Sequence, residues 1–192
     1  MDNYSQIELQ QLLGKVGSNV LIHRTVVFFN PKKIFIESNV RIDCFCILSA
    51  GLEGIFIGNY IHLGASTHLF GSGGRITLDS FCNISSRVSI FTASDDYKEG
   101  YLTNPTVPFE FKNVSIGQIK IEKHVIVGCG SVIMPGITIF CSSAVGALSF
   151  VNKDVLEFSI VAGIPIKQIG IRKSPQPQEE LFLASCQLNS GS

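Results

Sequence analysis

The residues that decide the fold are 121–155, which read IEKHVIVGCGSVIMPGITIFCSSAVGALSFVNKDV. Every sixth residue, starting from the first, is a β-branched aliphatic: Ile121, Val127, Ile133, Ile139, Val145 and Val151. Four places after each lies a small or β-branched residue: Val125, Ser131, Ile137, Ser143, Ser149 and Val155. An α-helix repeats every ~3.6 residues and an ordinary strand every two. The period of six instead predicts a parallel β-helix, in which three short strands and about 18 residues form one coil.

The same six-residue spacing, interrupted by short insertions, extends back along the chain. Groups of three hexads begin at Val16, Ile36, Ile57, Leu78, Ile121 and Ile139. They predict an all-β domain of about six coils over residues 16–173. With strands stacked about 4.8 Å apart, such a domain would be roughly 29 Å tall.

Segments of a different kind flank the predicted coils. In residues 1–15, Ser5 and Glu8 have the spacing of a capping box, and the leucines that follow can share the apolar face of a short helix. Because the end of a repeat stack has to be covered, we expect this helix to cap the first coil. Residues 174–192 form a C-terminal tail with a short apolar run, Leu181–Leu183, which we expect to be helical.

One long interruption separates the fourth and fifth predicted coils. The spacing is lost over residues 92–118, which contain Asp95, Asp96, Tyr97, prolines and phenylalanines. A long insertion inside a compact repeat is uncommon unless it is functional or disordered, and its aromatic residues argue against disorder. The segment is therefore predicted to be an arm loop over an active site.

Composition limits the classes of partner. The chain has 192 residues, 45% of them hydrophobic, which fits one domain with a large core. Its 15 Lys and Arg are balanced by 15 Asp and Glu, so we expect no nucleic-acid partner. The start lacks a signal-peptide pattern and no stretch is apolar enough to span a bilayer, which predicts a cytoplasmic protein with no membrane span. Six cysteines without C-x-x-C spacing are expected to be reduced thiols.

The end of the repeat carries a resemblance to a known family. Residues 163–169 read GIPIKQI, and residues 145–149 read VGALS. With the repeat and its single arm, these motifs resemble the hexapeptide acyltransferases, and within them the galactoside, maltose and surface-polysaccharide sugar acetyltransferases. The resemblance covers about Val16 to Lys173. It implies a left-handed β-helix, a homotrimer with active sites between subunits, and acetyl-CoA as co-substrate.

Within this family the acceptor would be an amino or hydroxyl group of a sugar. We favour a nucleotide-linked amino sugar used for a surface glycan. O-acetylation of a polysaccharide or a xenobiotic acceptor stays open, as does a non-catalytic β-helix that only binds. The arm favours an enzyme, because a plain scaffold does not need one. No metal is expected, since His62 and His68 end successive hexads and should lie on different corners.

Acyl transfer from a thioester to a sugar needs a base for the acceptor and a donor for the oxyanion. The family's catalytic histidine would stand at the start of the arm, where this chain has Asp95. Either another histidine is the base, with Asp95 orienting it, or the acceptor needs little base catalysis. We choose His62 as the base, paired with Asp95 of a neighbouring subunit, and keep His124 as the alternative base. Each histidine could instead be an ordinary corner residue.

The remaining predicted contacts concern the two substrates. Asp96, Tyr97 and His68 are the candidates for binding the acceptor. By resemblance, small residues of the last coils should line the groove for pantetheine: Gly128, Cys129, Gly146 and Ala147. Three basic residues are candidates for the CoA phosphates: Lys153, Lys167 and Arg172. Alternatively, the small residues only permit tight corners and the basic ones are only solvated.

Overall fold

The three short strands of each coil lie on three different faces of a prism, and strands of successive coils pair in parallel on each face. The computed structural model describes residues 2–189. Face 1 consists of β1 (Lys15–Val16), β4 (Ile34–Ile36), β7 (Ile55–Ile57), β10 (Ile76–Leu78), β15 (Ile119–Ile121) and β18 (Thr138–Ile139). Face 2 consists of β2 (Val20–Ile22), β5 (Val40–Ile42), β8 (His62–Leu63), β11 (Asn83–Ile84), β16 (Ile126–Val127), β19 (Ala144–Val145), β21 (Ser159–Ala162) and β22 (Lys167–Ile171). Face 3 consists of β3 (Val27–Phe29), β6 (Ile47–Ala50), β9 (His68–Gly71), β12 (Ser89–Phe91), β17 (Val132–Ile133) and β20 (Phe150–Val151).

Both predicted inward series are buried inside this prism. All six aliphatic residues of the first series in 121–155 are at most 3% exposed, and the six residues four places later are at most 6% exposed. Parallel pairing places each aliphatic directly above its counterpart, as with Val127 over Ile84 and Val145 over Val127. The predicted parallel β-helix is therefore confirmed.

Residues in the left-handed backbone region form the corner between faces 1 and 2. This conformation is uncommon for a non-glycine residue, and here the ladder of coil-to-coil hydrogen bonds holds it in place. Side chains at equivalent corners consequently lie one above another. The ring centroids of Tyr60 and Phe81 are 4.8 Å apart, and those of Phe81 and His124 are 5.4 Å apart. The corner residues with this conformation are Asn19, Asn39, Tyr60, Phe81, His124, Ser142 and Phe158.

The N-terminal end is closed by helix α1, Gln6–Leu12. The predicted capping box is present, since the Ser5 hydroxyl accepts from the Glu8 N–H and the Glu8 carboxylate accepts from the Ser5 N–H. Leu9 and Leu13 are buried against the first coil. The helix thus covers apolar surface that the first coil would otherwise expose to water.

At the other end the β-helix continues past the six predicted coils. Val155 bridges to Ile139, and β21 pairs in parallel with β19, so a partial seventh coil is present. The prediction of six coils missed it because Val161 pairs with Val145 outside the six-residue spacing. Strand β22 then returns antiparallel along β21, and helix α2 follows at Gln176–Asn189. Residues 190–192 of the predicted tail lie outside the described part of the chain.

The arm connects β12 on face 3 with β15 on face 1. Its base is a two-stranded antiparallel stem of β13 (Ala93–Ser94) and β14 (Ser115–Ile116). A short 3-10 helix, Phe109–Phe111, lies beyond the stem, and a second one, Pro31–Lys33, precedes β4. None of the helices described between residues 2 and 189 is both long and apolar enough to cross a membrane.

Candidate active site

The Asp95 carboxylate lies at the end of the arm stem, next to an apolar cavity on face 3. Its Oδ2 accepts a hydrogen bond from the Asn104 N–H at 3.1 Å. The cavity has a volume of about 520 Å³. Besides Asp95, it is lined mainly by apolar side chains of three coils and the arm: Phe91, Ala93, Tyr97, Val132, Met134 and Phe150. A carboxylate beside such a cavity can hold a cationic or hydrogen-bonding group of a bound molecule.

The two residues after Asp95 differ in what they can offer a substrate. The Asp96 carboxylate accepts from the N–H groups of Lys98, Glu99 and Tyr101. Desolvation acts to raise the pKa of Asp96, but these backbone donors outweigh it and leave the pKa below its ordinary value. Asp96 therefore holds the turn of the arm, whereas the Tyr97 ring is 87% exposed and able to contact a ligand.

His62 lies on face 2 in a line of polar side chains that crosses several coils. Its Nε2 is 2.8 Å from Oδ2 of Asp43, and its Nδ1 is 3.2 Å from Oδ1 of Asn83. Arg41 donates from Nε to the other oxygen of Asp43 at 2.7 Å. Burial acts to raise the pKa of Asp43, but the bonds from His62 and Arg41 outweigh it, so the pKa lies below its ordinary value.

Within the subunit, the carboxylate that orients His62 is that of Asp43. With Asp43 accepting from Nε2–H, the tautomer of a neutral ring leaves Nδ1 as the proton acceptor. The Oδ1 of Asn83, 3.2 Å from Nδ1, is also an acceptor, so it can bond this nitrogen only when Nδ1 carries a proton, as in the imidazolium form of the ring. Sequence reasoning missed Asp43, although Arg41 pairs directly with His62 across β5 and β8, so Asp43 lies diagonally below it.

His62 and Asp95 project from different parts of the prism. His62 belongs to β8 on face 2, whereas Asp95 follows the stem that leaves face 3. The structure thus does not pair them within one subunit, and the predicted pairing is one between neighbouring subunits. His68 is on face 3 itself, with its ring centroid 5.7 Å from that of Phe70.

The alternative base, His124, has a different environment. It is 8% exposed, stacks on Phe81, and lies beneath α2, where its Nε2 is 2.8 Å from Oε2 of Glu179. Lys123 contacts the other Glu179 oxygen at 2.7 Å, and the Phe182 ring packs edge-on to Tyr60. The His124 ring is therefore a docking point for the C-terminal helix.

The small residues predicted to line the pantetheine groove form a stack at the corner between faces 2 and 3. The Gly128 N–H donates to Val145, and the Gly146 N–H donates to Val161. A Cβ atom on Gly128 would lie 2.4 Å from the backbone nitrogen of Ala147, so this contact between coils requires glycine. Cys129 precedes the next strand, and its Sγ is 3.6 Å from an Arg87 nitrogen. The glycines at this corner are therefore required by the close packing of one coil on the next.

The three residues predicted to contact the CoA phosphates have different surroundings in the structure. Lys167 begins β22 beside Ala162, directly above the stack of small residues, and is exposed. Lys153 is exposed in the turn after β20. Arg172 donates from Nη1 to the carbonyl oxygens of His124 and Ser143 at 2.6 and 3.0 Å, so this nitrogen stabilises the corner beneath α2.

Comparison with known proteins identifies the family. No protein-family model matches the chain. The chain is 42% identical over 168 residues to the dTDP-4-amino-4,6-dideoxy-D-glucose acyltransferase of Escherichia coli, and the match covers 87% of each protein. The chain belongs to the hexapeptide-repeat sugar acyltransferases. The predicted family and enzyme class are thereby confirmed.

Solved structures extend this result. AntD is an N-acyltransferase from Bacillus cereus, solved in complex with dTDP and 3-hydroxybutyryl-CoA. It is 40% identical to this acyltransferase with a TM-score of 0.91, and the match covers 97% of this chain and 98% of AntD. A variant of AntD in complex with dTDP-4-amino-4,6-dideoxyglucose and coenzyme A has a TM-score of 0.90 at 40% identity, covering 96% and 98% of the two chains. A galactoside acetyltransferase in complex with coenzyme A has a TM-score of 0.59 at 18% identity, covering 90% and 72%, and shows the fold alone.

A metal site is not formed by the part of this acyltransferase that the structure describes. No group of three or more His, Cys, Asp or Glu side chains in residues 2–189 could hold an ion.

The contacts of Glu179 give the docking of α2 a defined pH dependence. Burial acts to raise the pKa of Glu179, but the bonds from Lys123 and His124 outweigh it and hold the pKa below its ordinary 4.5. A carboxylate with a depressed folded-state pKa stabilises the fold above its unfolded-state pKa. That contribution is lost as the pH falls through the lower, folded-state value.

We expect Glu179→Gln to lower Tm at neutral pH. The difference from the wild type should shrink as the pH falls below 4.5 and be smallest below the folded-state pKa, where the wild-type carboxylate is protonated in both the folded and the unfolded state. Thermal unfolding followed by circular dichroism over a pH series measures this. Glu180→Gln is the control, since its carboxylate bonds Gln176 within the same helix, and it should leave Tm unchanged. A Tm difference for Glu179→Gln that is independent of pH would contradict the role given to Glu179.

Proposed function

We propose that this acyltransferase moves an acyl group, such as acetyl, from a CoA thioester to the amino group of a nucleotide-linked amino sugar. The observation that carries this proposal is the 42% identity, over 87% of each protein, to the dTDP-4-amino-4,6-dideoxy-D-glucose acyltransferase. AntD, an N-acyltransferase that covers nearly the whole chain, supports an amine acceptor over a hydroxyl. The compartment we propose is the cytoplasm.

The proposed active unit is a homotrimer with its sites between subunits. Support comes from the placement of the two candidate catalytic groups, because His62 is on face 2 and Asp95 extends from the arm beside face 3. Two such surfaces can face each other only across an interface between copies. The arm also exposes large apolar side chains, among them Tyr97 and Phe109, which a neighbouring subunit would cover.

In this site the acceptor amine would lie between His62 and Asp95 of a neighbouring subunit. The Asp95 carboxylate would hold the amine, and Nδ1 of His62 would take the proton released as the nitrogen attacks the thioester carbonyl. Asp43 would orient the ring and stabilise its protonated form. The acyl group transfers to nitrogen as the carbon–sulfur bond breaks, and CoA leaves as the thiolate. Tyr97 and His68 remain the proposed acceptor contacts.

For the donor, we propose that pantetheine lies along the stack of small residues at the corner between faces 2 and 3. Gly128, Cys129, Gly146 and Ala147 would line it there, and Lys167 above them would contact the CoA phosphates. Lys153 is a further proposed phosphate contact. Arg172 is not included, because its Nη1 already donates to backbone carbonyls.

The acceptor can be tested directly by following the free thiol of CoA. We expect rapid thiol release from acetyl-CoA or 3-hydroxybutyryl-CoA with dTDP-4-amino-4,6-dideoxyglucose, because an unprotonated amine attacks a thioester readily. The matched nucleotide sugar with a hydroxyl in place of the amine should be at least about 10²-fold poorer, since a neutral hydroxyl needs far more help from a base. Thiol release only with the hydroxyl sugar, or only with a xenobiotic alcohol such as chloramphenicol, would show that the acceptor is wrong.

The catalytic pair can be tested by steady-state kinetics of substituted enzymes. His62→Ala should lower kcat by about 10²-fold or more, the usual effect of losing a general base. KM for the acyl-CoA should change little, because the donor contacts lie on later coils. Asp95→Asn should lower kcat by a smaller factor, and the double variant should be little worse than His62→Ala if the two act as a unit.

Two further variants make this result specific. Lys15→Ala is the control, because Lys15 pairs with Glu37 on face 1, away from both His62 and the arm. It should keep the wild-type kcat. Wild-type activity in His62→Ala would remove His62 from the mechanism, and a large loss in His124→Ala would transfer the role of base to His124.

A further inference from the structure

The two ends of the arm meet at one buried residue, Thr92. It is 0% exposed, and each of its polar groups is bonded. Its N–H and its hydroxyl both donate to the Phe70 carbonyl at 2.9 Å, and the hydroxyl also accepts from the Gly73 N–H at 2.9 Å. Its carbonyl accepts from the Gly117 N–H at 2.9 Å, which closes the arm. Thr92 therefore ties both strands of the arm stem to the coil below.

The stacking of the coils does not itself require a hydroxyl group at the position of Thr92. Phe91 pairs with Phe70 on face 3, so the residue after each of them occupies the same column. In the two coils below, that column holds Ala50 and Gly71, which pair with each other and carry no polar side-chain atom. Among these three coils, Thr92 is the polar member of the column, and it stands where the arm departs.

Asp95 follows Thr92 by three residues, or about 10 Å of extended chain. Only the short stem separates them, with Ala93 opposite Ile116 and Ser94 opposite Ser115. A small change in the backbone direction at Thr92 would therefore displace the Asp95 carboxylate. We propose that Thr92 is a positioning residue that fixes the root of the arm and thereby the place of Asp95. This inference rests on the role in acyl transfer proposed above for Asp95.

The test compares Thr92→Val with Thr92→Ser. Valine keeps the shape but removes both hydroxyl hydrogen bonds, whereas serine keeps the hydroxyl. We expect Thr92→Val to lower kcat for amino-sugar acylation by about 10-fold or more, because a misplacement of about 1 Å can cost up to about 10²-fold. KM for acyl-CoA should be unchanged, and Thr92→Ser should recover most of the wild-type kcat.

Thr67→Val is the matched control. Thr67 is also 0% exposed, and its hydroxyl donates to the Ser85 carbonyl at 3.1 Å, far along the coil from the arm root. The same chemical change there should lower Tm but leave kcat near the wild-type value. A wild-type kcat in Thr92→Val, an equal loss in Thr92→Ser, or an equal loss in Thr67→Val would overturn the proposal.

Hydrogen exchange separates this inference from the proposed function. In Thr92→Val, the Ser94 and Gly117 amides should exchange faster than in the wild type, while amides of β17 should keep their protection. Unchanged exchange at the stem would overturn the anchoring role whatever the kinetics. If the wild type transfers no acyl group to any amino sugar, the proposed function fails, and faster stem exchange would still show that Thr92 anchors the arm.

Discussion

The structure depends on the stacking of each coil directly on the one below. Backbone hydrogen bonds between coils fix the register on all three faces, and the inward aliphatic side chains then meet their counterparts one coil away. A residue that does not fit the column would open a cavity or push two coils apart, and either change costs several kcal/mol in a packed core, about 2–5 for loss of a large aliphatic side chain. The period of six in the sequence is the consequence of this constraint.

The same stacking organises the surface. Side chains that point outward from successive coils are also held one above another, so short polar groups on adjacent coils come within hydrogen-bond distance. Arg41, Asp43, His62 and Asn83 form one such line on face 2, and it sets the orientation of the His62 ring. Corner residues form another, in which Phe81 and His124 receive helix α2.

The arm is a long segment that does not take part in the stacking of the coils, so other interactions have to fix its position. Thr92 does so at the root, and the carboxylates of Asp95 and Asp96 bind backbone N–H groups further along. This arrangement concentrates solvent-exposed chain in one segment next to the cavity on face 3. A change of sequence in the arm could therefore alter the acceptor site without disturbing the stacking of the coils.

The coils could be predicted from the sequence because each residue in the inward columns has to be aliphatic or small, and residues 121–155 show this without interruption. The capping box at Ser5 could be predicted because it is local. The hydrogen-bond partner of His62 could not be predicted. Asp43 lies close to His62 only because of the alignment of successive coils, which the early insertions determine. For the same reason, the engagement of His124 by Glu179 was not visible from the sequence, because the two residues meet only when the C-terminal helix returns to the corner.

The central claim is that His62 of one subunit and Asp95 of its neighbour act in one site. Mixed trimers of His62→Ala and Asp95→Asn subunits, made by co-expression with two different tags, test it most directly. Each variant alone has every site damaged, but in random mixtures about one interface in four combines an intact His62 with an intact Asp95. The account predicts that the mixture recovers roughly a quarter of the wild-type kcat per site. Activity no higher than that of the two separate variants would contradict it.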